Sequence, residues 1–392
     1  MARDFERDFS RLIAGIDEDS SILKENKDAI HRYISRARGQ RLSIKTIIKH
    51  LYGLQKFLAA MNKEVLLEKA TTGDIENAVA EIDRLDLSNE VKRSIIVTIK
   101  SFYKQAFGEG LFYPKPVAWL KTSIKRRERV LPEDLLDEND IIKMIDVATN
   151  IRDKAIIALL FDSGIRAGEL LSMKRKDIEL ETEPSQHIVV TGKTGMRKIP
   201  IRFSVPYLAQ YVNLVKDLRS NDPLWWNLAQ SNRKGMLDYG GFRKMLKEVA
   251  DAAGIRKRIY PHLFRHSRAS SYANSLTEQQ LKVFFGWTGA SSMAATYVHL
   301  SGRDIDNAVL AANGVKTQES AKETKLKVRE CQKCRQSNAI DSIYCVRCGT
   351  ALDIKTAIEA EKNVKSLKEL MIEALKDPKV LDEVSRALLN AK

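Results

Sequence analysis

The sequence predicts a mainly α-helical fold with one small antiparallel sheet, and three observations predict it. Apolar residues recur at helical spacing through most of the 392 residues. Two β-branched runs, at 186–190 and 197–201, flank a Gly192-Lys193-Thr194-Gly195 turn and read as a hairpin. Two Cys-x-x-Cys pairs, Cys331/Cys334 and Cys345/Cys348, have the spacing of a metal ribbon. The organisation that follows is a helical domain over 1–112, a basic linker over 113–136, a larger mixed domain over 137–314, a ribbon over 328–352 and a helical segment over 355–392.

Composition narrows the class. The chain is 44% hydrophobic and 30% charged, which fits a soluble globular protein rather than a disordered one. No apolar run approaches the ~20 residues of a membrane span. The N-terminus is charged from Arg3 onward, without an apolar signal core, so a cytoplasmic protein is expected. A net charge of +15 favours polyanions. No basic amphipathic helix with bulky aromatic anchors appears, which puts nucleic acid ahead of a membrane surface. All four cysteines lie within 331–348, which argues for one local metal site and against a disulfide framework.

Each element has its own signal. Phe5, Phe9, Leu12 and Ile13 open a first apolar stripe, and a second helix runs from about Leu23 to Arg36 with Ile30, Tyr33 and Ile34 on one face. Ser43 is an N-cap ahead of Ile44, Ile47, Leu51, Leu54 and Leu58. Thr72 or Asp74 caps the next helix; Ser88 caps another, which Gly108 ends. Lys45, Lys49, Lys56, Lys92, Arg93, Lys100 and Lys104 decorate this bundle, each singly a solvated lysine or arginine, jointly a surface that can follow phosphates. Pro114, Pro116 and Pro132 bracket the basic run 121–129 and mark the linker. Helices at 141–145 and 155–161 precede the hairpin, and helices resume from about Val205 to Ala312.

In the ribbon, Cys331, Cys334, Cys345 and Cys348 make a Cys₄ set for a structural Zn²⁺, with Tyr344 and Gly349 at places a ribbon uses. A redox dithiol or an iron–sulfur cluster fits so short a ribbon less well. Leu367, Leu370, Met371 and Leu375 form an apolar stripe after it, and Val380, Leu381, Val384, Leu388 and Leu389 form another. Packing onto the ribbon and self-association are both open to these helices.

The chemistry lies between Phe161 and Leu300. Breaking a phosphodiester without metal or water needs a nucleophile, cations on the non-bridging oxygens, and an acid for the leaving sugar oxygen. A tyrosine serves as nucleophile once a base or cationic setting helps it lose its proton. Arginines stay charged and grip two oxygens in a fixed fork.

The residues that meet these needs carry a resemblance. Gly164-Ile165-Arg166-Ala167-Gly168-Glu169-Leu170, the 192–195 turn, His262-Leu263-Phe264-Arg265-His266, Phe285-Gly286-Trp287 and Thr296-Tyr297-Val298-His299 resemble, in order and spacing, the tyrosine recombinase (phage-type integrase) family. The resemblance is specific over 137–314, weaker over the N-terminal region, which is similar to the family's core-binding domain, and absent from the ribbon and last helices. A ribbon after the catalytic domain departs from the common plan and points to an archaeal or mobile-element integrase.

The resemblance implies that Arg166 and Arg265 clamp the scissile phosphate. It makes Lys193 the acid for the 5′-oxygen, His262 the base or phosphate partner, and Tyr297 the residue that forms a 3′-phosphotyrosine. Trp287 stands where histidine is commoner; its indole N–H donates a hydrogen bond but carries no proton onward. Glu169 supports Arg166, and His266 is a packing or phosphate-neighbouring residue. The implied activity is site-specific recombination of double-stranded DNA by a tetramer, with no catalytic cofactor. The segment 301–314, with Ile305, Val309 and Leu310 on one face, is a candidate for docking on a neighbouring subunit. Singly, each residue has a blander reading: a salt-bridged arginine, a solvated hairpin lysine, core histidines, a buried tyrosine and a core tryptophan. The rival functions are a type IB topoisomerase-like nicking and resealing enzyme and an inactive DNA-binding regulator; the full residue set argues against the regulator.

Overall fold

A computed structural model describes residues 5–108, 112–122, 132–180, 186–192, 195–227, 235–300, 313 and 324–389. Lys193, the basic run 125–129 and the proposed docking residues Ile305, Val309 and Leu310 lie outside the described residues. The chain divides into two compact units, Met1–Arg129 and Val130–Lys392.

The first unit is a helical bundle: α1 (Phe5–Glu18), α2 (Lys24–Gly39), α3 (Ile44–Ala60), α4 (Thr72–Arg84), α5 (Asn89–Phe107) and the short α6 (Lys115–Ala118). Tyr33, Leu54, Phe57 and Phe102 fill its core without solvent exposure. Helix starts follow the caps. Ser43 Oγ accepts from the Thr46 N–H and Ser88 Oγ from the Val91 N–H. Before α4 the cap is Thr71, one residue earlier than Thr72. Its hydroxyl takes the Asp74 N–H, and the Asp74 carboxylate takes the Thr71 N–H at 2.8 Å, closing a capping box.

The stretch read as linker begins inside this bundle, where Val117 and Leu120 are buried in the core. Several basic residues serve that packing. Lys100 Nζ donates to the Leu120 carbonyl at 2.6 Å and Arg93 Nε to the Thr122 carbonyl at 2.7 Å. Lys45 lies over the Phe5 ring and Lys104 over the Tyr113 ring. Lys49 and Lys56 stay exposed.

The second unit is built round α8 (Ile151–Ser163), which α7 (Glu138–Val147), α10 (Val205–Leu214) and α12 (Pro261–Ala273) surround. Residues 155–163 of α8 are all buried, so this helix carries no single apolar face. Between α9 (Ala167–Leu171) and α10 runs the sheet β1 (Ile178–Glu179), β2 (Gln186–Gly192), β3 (Gly195–Ile201), antiparallel in that order. Its register pairs Ile188 with Ile199 and Gly192 with Gly195. Ile188, Val190, Ile199 and Ile201 all face the core, as the period of two requires. Then come α11 (Tyr239–Ala252), α13 (Glu278–Phe285) and α14 (Met293–Leu300).

The ribbon carries β4 (Arg329–Glu330) paired with β5 (Ser337–Asn338), followed by α15 (Ile354–Ala374) and α16 (Pro378–Leu389). It docks on the second unit. Leu326 and Ala339 join that unit's core, and Asp341 accepts from Lys154 Nζ at 2.5 Å and from the Tyr207 hydroxyl at 3.0 Å. Among the described residues no helix is long and apolar enough to cross a membrane.

Candidate active site

The site forms where α8 ends. Gly164 terminates that helix with φ at 57°, a left-handed cap that glycine adopts without strain. A Cβ there would also meet Phe285 Cε1 at 2.6 Å, so the same glycine lets the α13 end approach. The reversed chain presents Arg166 at the N-cap of α9. Arg265 rises from α12, is 5% exposed, and donates from Nη1 to the Gly164 carbonyl at 2.9 Å. Its other terminal nitrogen bonds the Phe285 carbonyl, while Arg166 Nη2 bonds the next carbonyl, Gly286, at 3.1 Å. Two adjacent carbonyls thus set the two guanidiniums side by side.

A buried carboxylate organises the cations. Glu169 accepts from Arg166 Nη1 at 2.7 Å, from the Arg166 backbone N–H at 3.0 Å, and from both terminal nitrogens of Arg197 at 2.8 Å. Burial opposes its charge, but the Arg197 and Arg166 hydrogen bonds outweigh burial and hold its pKa at about 2. Arg265 is pushed the other way, down to about 9, first by burial and then by Arg166 and Arg197. It remains a cation at neutral pH. Three guanidiniums against one carboxylate leave a positive surplus in a partly buried site, which an anion relieves.

Tyr297 is brought to the same place. It is 6% exposed and its ring stacks on Trp287, centroids 5.6 Å apart at 4° between planes. Trp287 stacks in turn on Phe285 at 5.0 Å, and the Arg265 guanidinium lies over both rings. The Tyr297 hydroxyl hydrogen-bonds His266 Nδ1. His262 sits one helical turn before His266, their rings 6.5 Å apart. Lost hydration lowers the pKa of both first, and nearby positive charge adds to it: Arg265 and Arg166 beside His262, and Arg265 together with any charge on His262 beside His266. Both are therefore neutral near pH 7. The histidine that meets the tyrosine oxygen is His266, whereas the resemblance makes His262 the base or phosphate partner.

The sequence-predicted residues Arg166, His262, Arg265, Trp287 and Tyr297 converge here; Lys193 follows Gly192 and lies outside the described residues. Arg197 was missed. Its signal is slight, because it reaches Glu169 only through the β2–β3 register. Gly192 is the accompanying clue: a Cβ there would collide with the Glu169 carboxylate.

The four cysteines converge separately. Their sulfurs lie within 4.8 Å of one another, with Cys331–Cys348 at 3.6 Å and Cys334–Cys345 at 3.5 Å. Four thiolates about 2.3 Å from one tetrahedral ion stand roughly 3.8 Å apart, so the set fits a metal. Asn338 is fully buried between the two cysteine turns, donating to the Arg329 and Gln336 carbonyls and accepting the Val346 N–H.

Comparison with known proteins finds chains similar in sequence and fold. Residues 134–303 match the phage integrase family. The chain is 24% identical over 302 residues to the tyrosine recombinase XerA of Pyrococcus horikoshii, covering 74% of this chain and 96% of that protein. It is 27% identical over 277 residues to XerD of Chlorobaculum tepidum, covering 66% of this chain and 86% of that one. Its fold is similar to that of the XerH recombinase bound to its difH substrate after cleavage (TM-score 0.53, 17% identity, 79% of this chain and 95% of that one). It is also similar to a lambda integrase tetramer bound to a Holliday junction (TM-score 0.54, 18% identity, 75% and 82%). The matched segment 134–303 and these relatives make the chain similar to tyrosine recombinases over most of its length.

Proposed function

We propose that this chain is a site-specific DNA recombinase that cuts and rejoins strands through a 3′-phosphotyrosine, with neither metal nor ATP in the chemical step. The observation that carries the reading is the pair Arg166 and Arg265, hung on successive carbonyls beside the Tyr297–Trp287 stack. The two forks hold the non-bridging oxygens of the scissile phosphate and meet the charge that grows on them. Tyr297 Oη attacks phosphorus as its proton passes to the neutral His266 Nδ1, and His262 donates to the phosphate. The P–O5′ bond breaks, and Lys193 protonates the leaving 5′-oxygen. A 5′-hydroxyl of the second duplex then attacks the phosphotyrosine and frees Tyr297, so one phosphoester replaces another. Trp287 holds the Tyr297 ring and the Arg265 fork in place.

The first unit acts as the core-binding domain and the second as the catalytic domain. Exchange between two duplexes uses four copies, as in the tetrameric lambda integrase complex. Cys331, Cys334, Cys345 and Cys348 hold one structural Zn²⁺, which folds a ribbon too small to fold by itself. The protein works in the cytoplasm on double-stranded DNA. The test is a pool of nicked duplexes drawn from the DNA flanking the gene, followed by assay on paired duplexes. Covalent capture with strand exchange supports the reading, and relaxation without exchange overturns it in favour of a topoisomerase.

A further inference from the structure

Among the described residues, the two last helices leave large apolar side chains in water. On α15, Val364, Leu367, Leu370 and Met371 are each more than half exposed. Among the described residues neither α15 nor α16 packs extensively on another element. The ribbon does not cover them, since its own apolar residues Ala339 and Ile340 already face the core of the second unit. Helices in proteins draw most of their stability from packing an apolar face, so the exposed face of this 21-residue helix calls for a partner.

The spacing identifies the partner. Ala357, Val364 and Met371 stand seven apart, and Leu367 and Ala374 form a second seven-residue series three positions on. This is the a/d seam of a two-stranded coiled coil, about 30 Å long. Along one edge of the seam run Ile354, Glu361, Lys368 and Leu375. Set two copies antiparallel with Val364 beside Leu367 of the second copy. The twofold axis then falls between positions 365 and 366, close to the middle of α15. In this register Glu361 faces Lys368 of the second copy, Lys368 faces Glu361, and Ile354 faces Leu375. The edge complements itself throughout. A parallel pair would set Glu361 beside Thr356 and Lys368 beside Asn363, with no charge paired.

We propose that α15 is a self-association surface through which two copies of this chain pair as an antiparallel coiled coil without DNA. The pairing stands independently of the recombinase reading. The test is sedimentation of the full-length protein at micromolar concentration, free of DNA. A dimer is expected, and Leu367→Asp with Met371→Asp should turn it into a monomer. Glu361→Lys and Lys368→Glu should each weaken pairing roughly tenfold, because attraction becomes repulsion at two symmetric places. Combining both substitutions in one chain should restore it. Mixing the two single variants should yield mixed dimers in preference to self-pairs. A monomeric wild-type protein, or association indifferent to the apolar pair or to the charge exchange, would overturn the proposal.

Discussion

Asp162 and Glu169 are seven residues apart, and both side chains are 3% exposed, yet they are used in opposite ways. Asp162 accepts from the Arg202 and Ser204 backbone N–H groups, from the Ser204 hydroxyl, and from Arg268 at 3.2 Å. One arginine meets one carboxylate, and the group ties α8 to α12 and to the start of α10. Glu169 meets Arg166 and Arg197 with Arg265 alongside, so positive charge is left over. The difference lies in charge balance. The balanced cluster holds helices together, whereas the unbalanced one keeps a positive surplus, which the proposed function assigns to the scissile phosphate.

Substitutions at the two clusters should therefore separate stability from activity. Arg166→Ala is expected to lower strand cleavage by about a thousandfold, the order seen when one charge-stabilising donor is lost, with the melting temperature nearly kept. Asp162→Ala should do the reverse, costing about 3–5 kcal/mol in denaturant unfolding because the part-buried Arg268 loses its carboxylate and the Arg202 and Ser204 N–H groups lose their acceptor. If Asp162→Ala folded normally and only cleavage fell, the contrast between the two clusters would fail. Glu169→Gln comes next. Cleavage should fall by about a hundredfold through loosened aim of Arg166, while DNA affinity measured by gel shift stays nearly constant. Arg197→Met should show the same pattern at roughly tenfold, since Glu169 keeps Arg166.

The pH responses are smaller and have definite signs. The folded pKa of Glu169 is depressed to about 2 from its ordinary 4.5. Its contribution is complete above 4.5 and is lost as pH falls towards 2, so Glu169→Gln should flatten acid unfolding in that window. The pKa of His266 is lowered from 6.5, so the neutral base persists below 6.5 and the acid limb of cleavage should lie under that value. An acid limb above 6.5 would remove His266 from the role of base. Chelation should release one metal ion per chain and free Asp341 from Lys154 and Tyr207, while leaving the chemical step intact.

Much of this was legible in the sequence, for physical reasons. Ser43, Ser88 and the bundle stripes showed because caps and period are local. Arg166, Arg265 and Tyr297 showed because each sits in a short contiguous motif that resembles the tyrosine recombinase family. Arg197 did not, because its partner lies 28 residues away and only strand register joins them. Nor did the tie from Asp341 to Lys154 and Tyr207, since one aspartate in a ribbon carries no periodic mark. Thr71 was displaced to Thr72 because two threonines stand in succession and only geometry chooses between them. His266 was underrated because His262 and His266 share a face of α12, and the position of α14 decides which one Tyr297 meets.

The central claim is that Tyr297 is the nucleophile in a cation-lined site. It is tested most directly by trapping the protein on a nicked duplex, digesting the adduct and locating the nucleotide by mass spectrometry. The account predicts a phosphodiester on the peptide that contains Tyr297, formed in the presence of EDTA and absent from Tyr297→Phe. A nucleotide on any other residue, or an adduct that survives Tyr297→Phe, would contradict it.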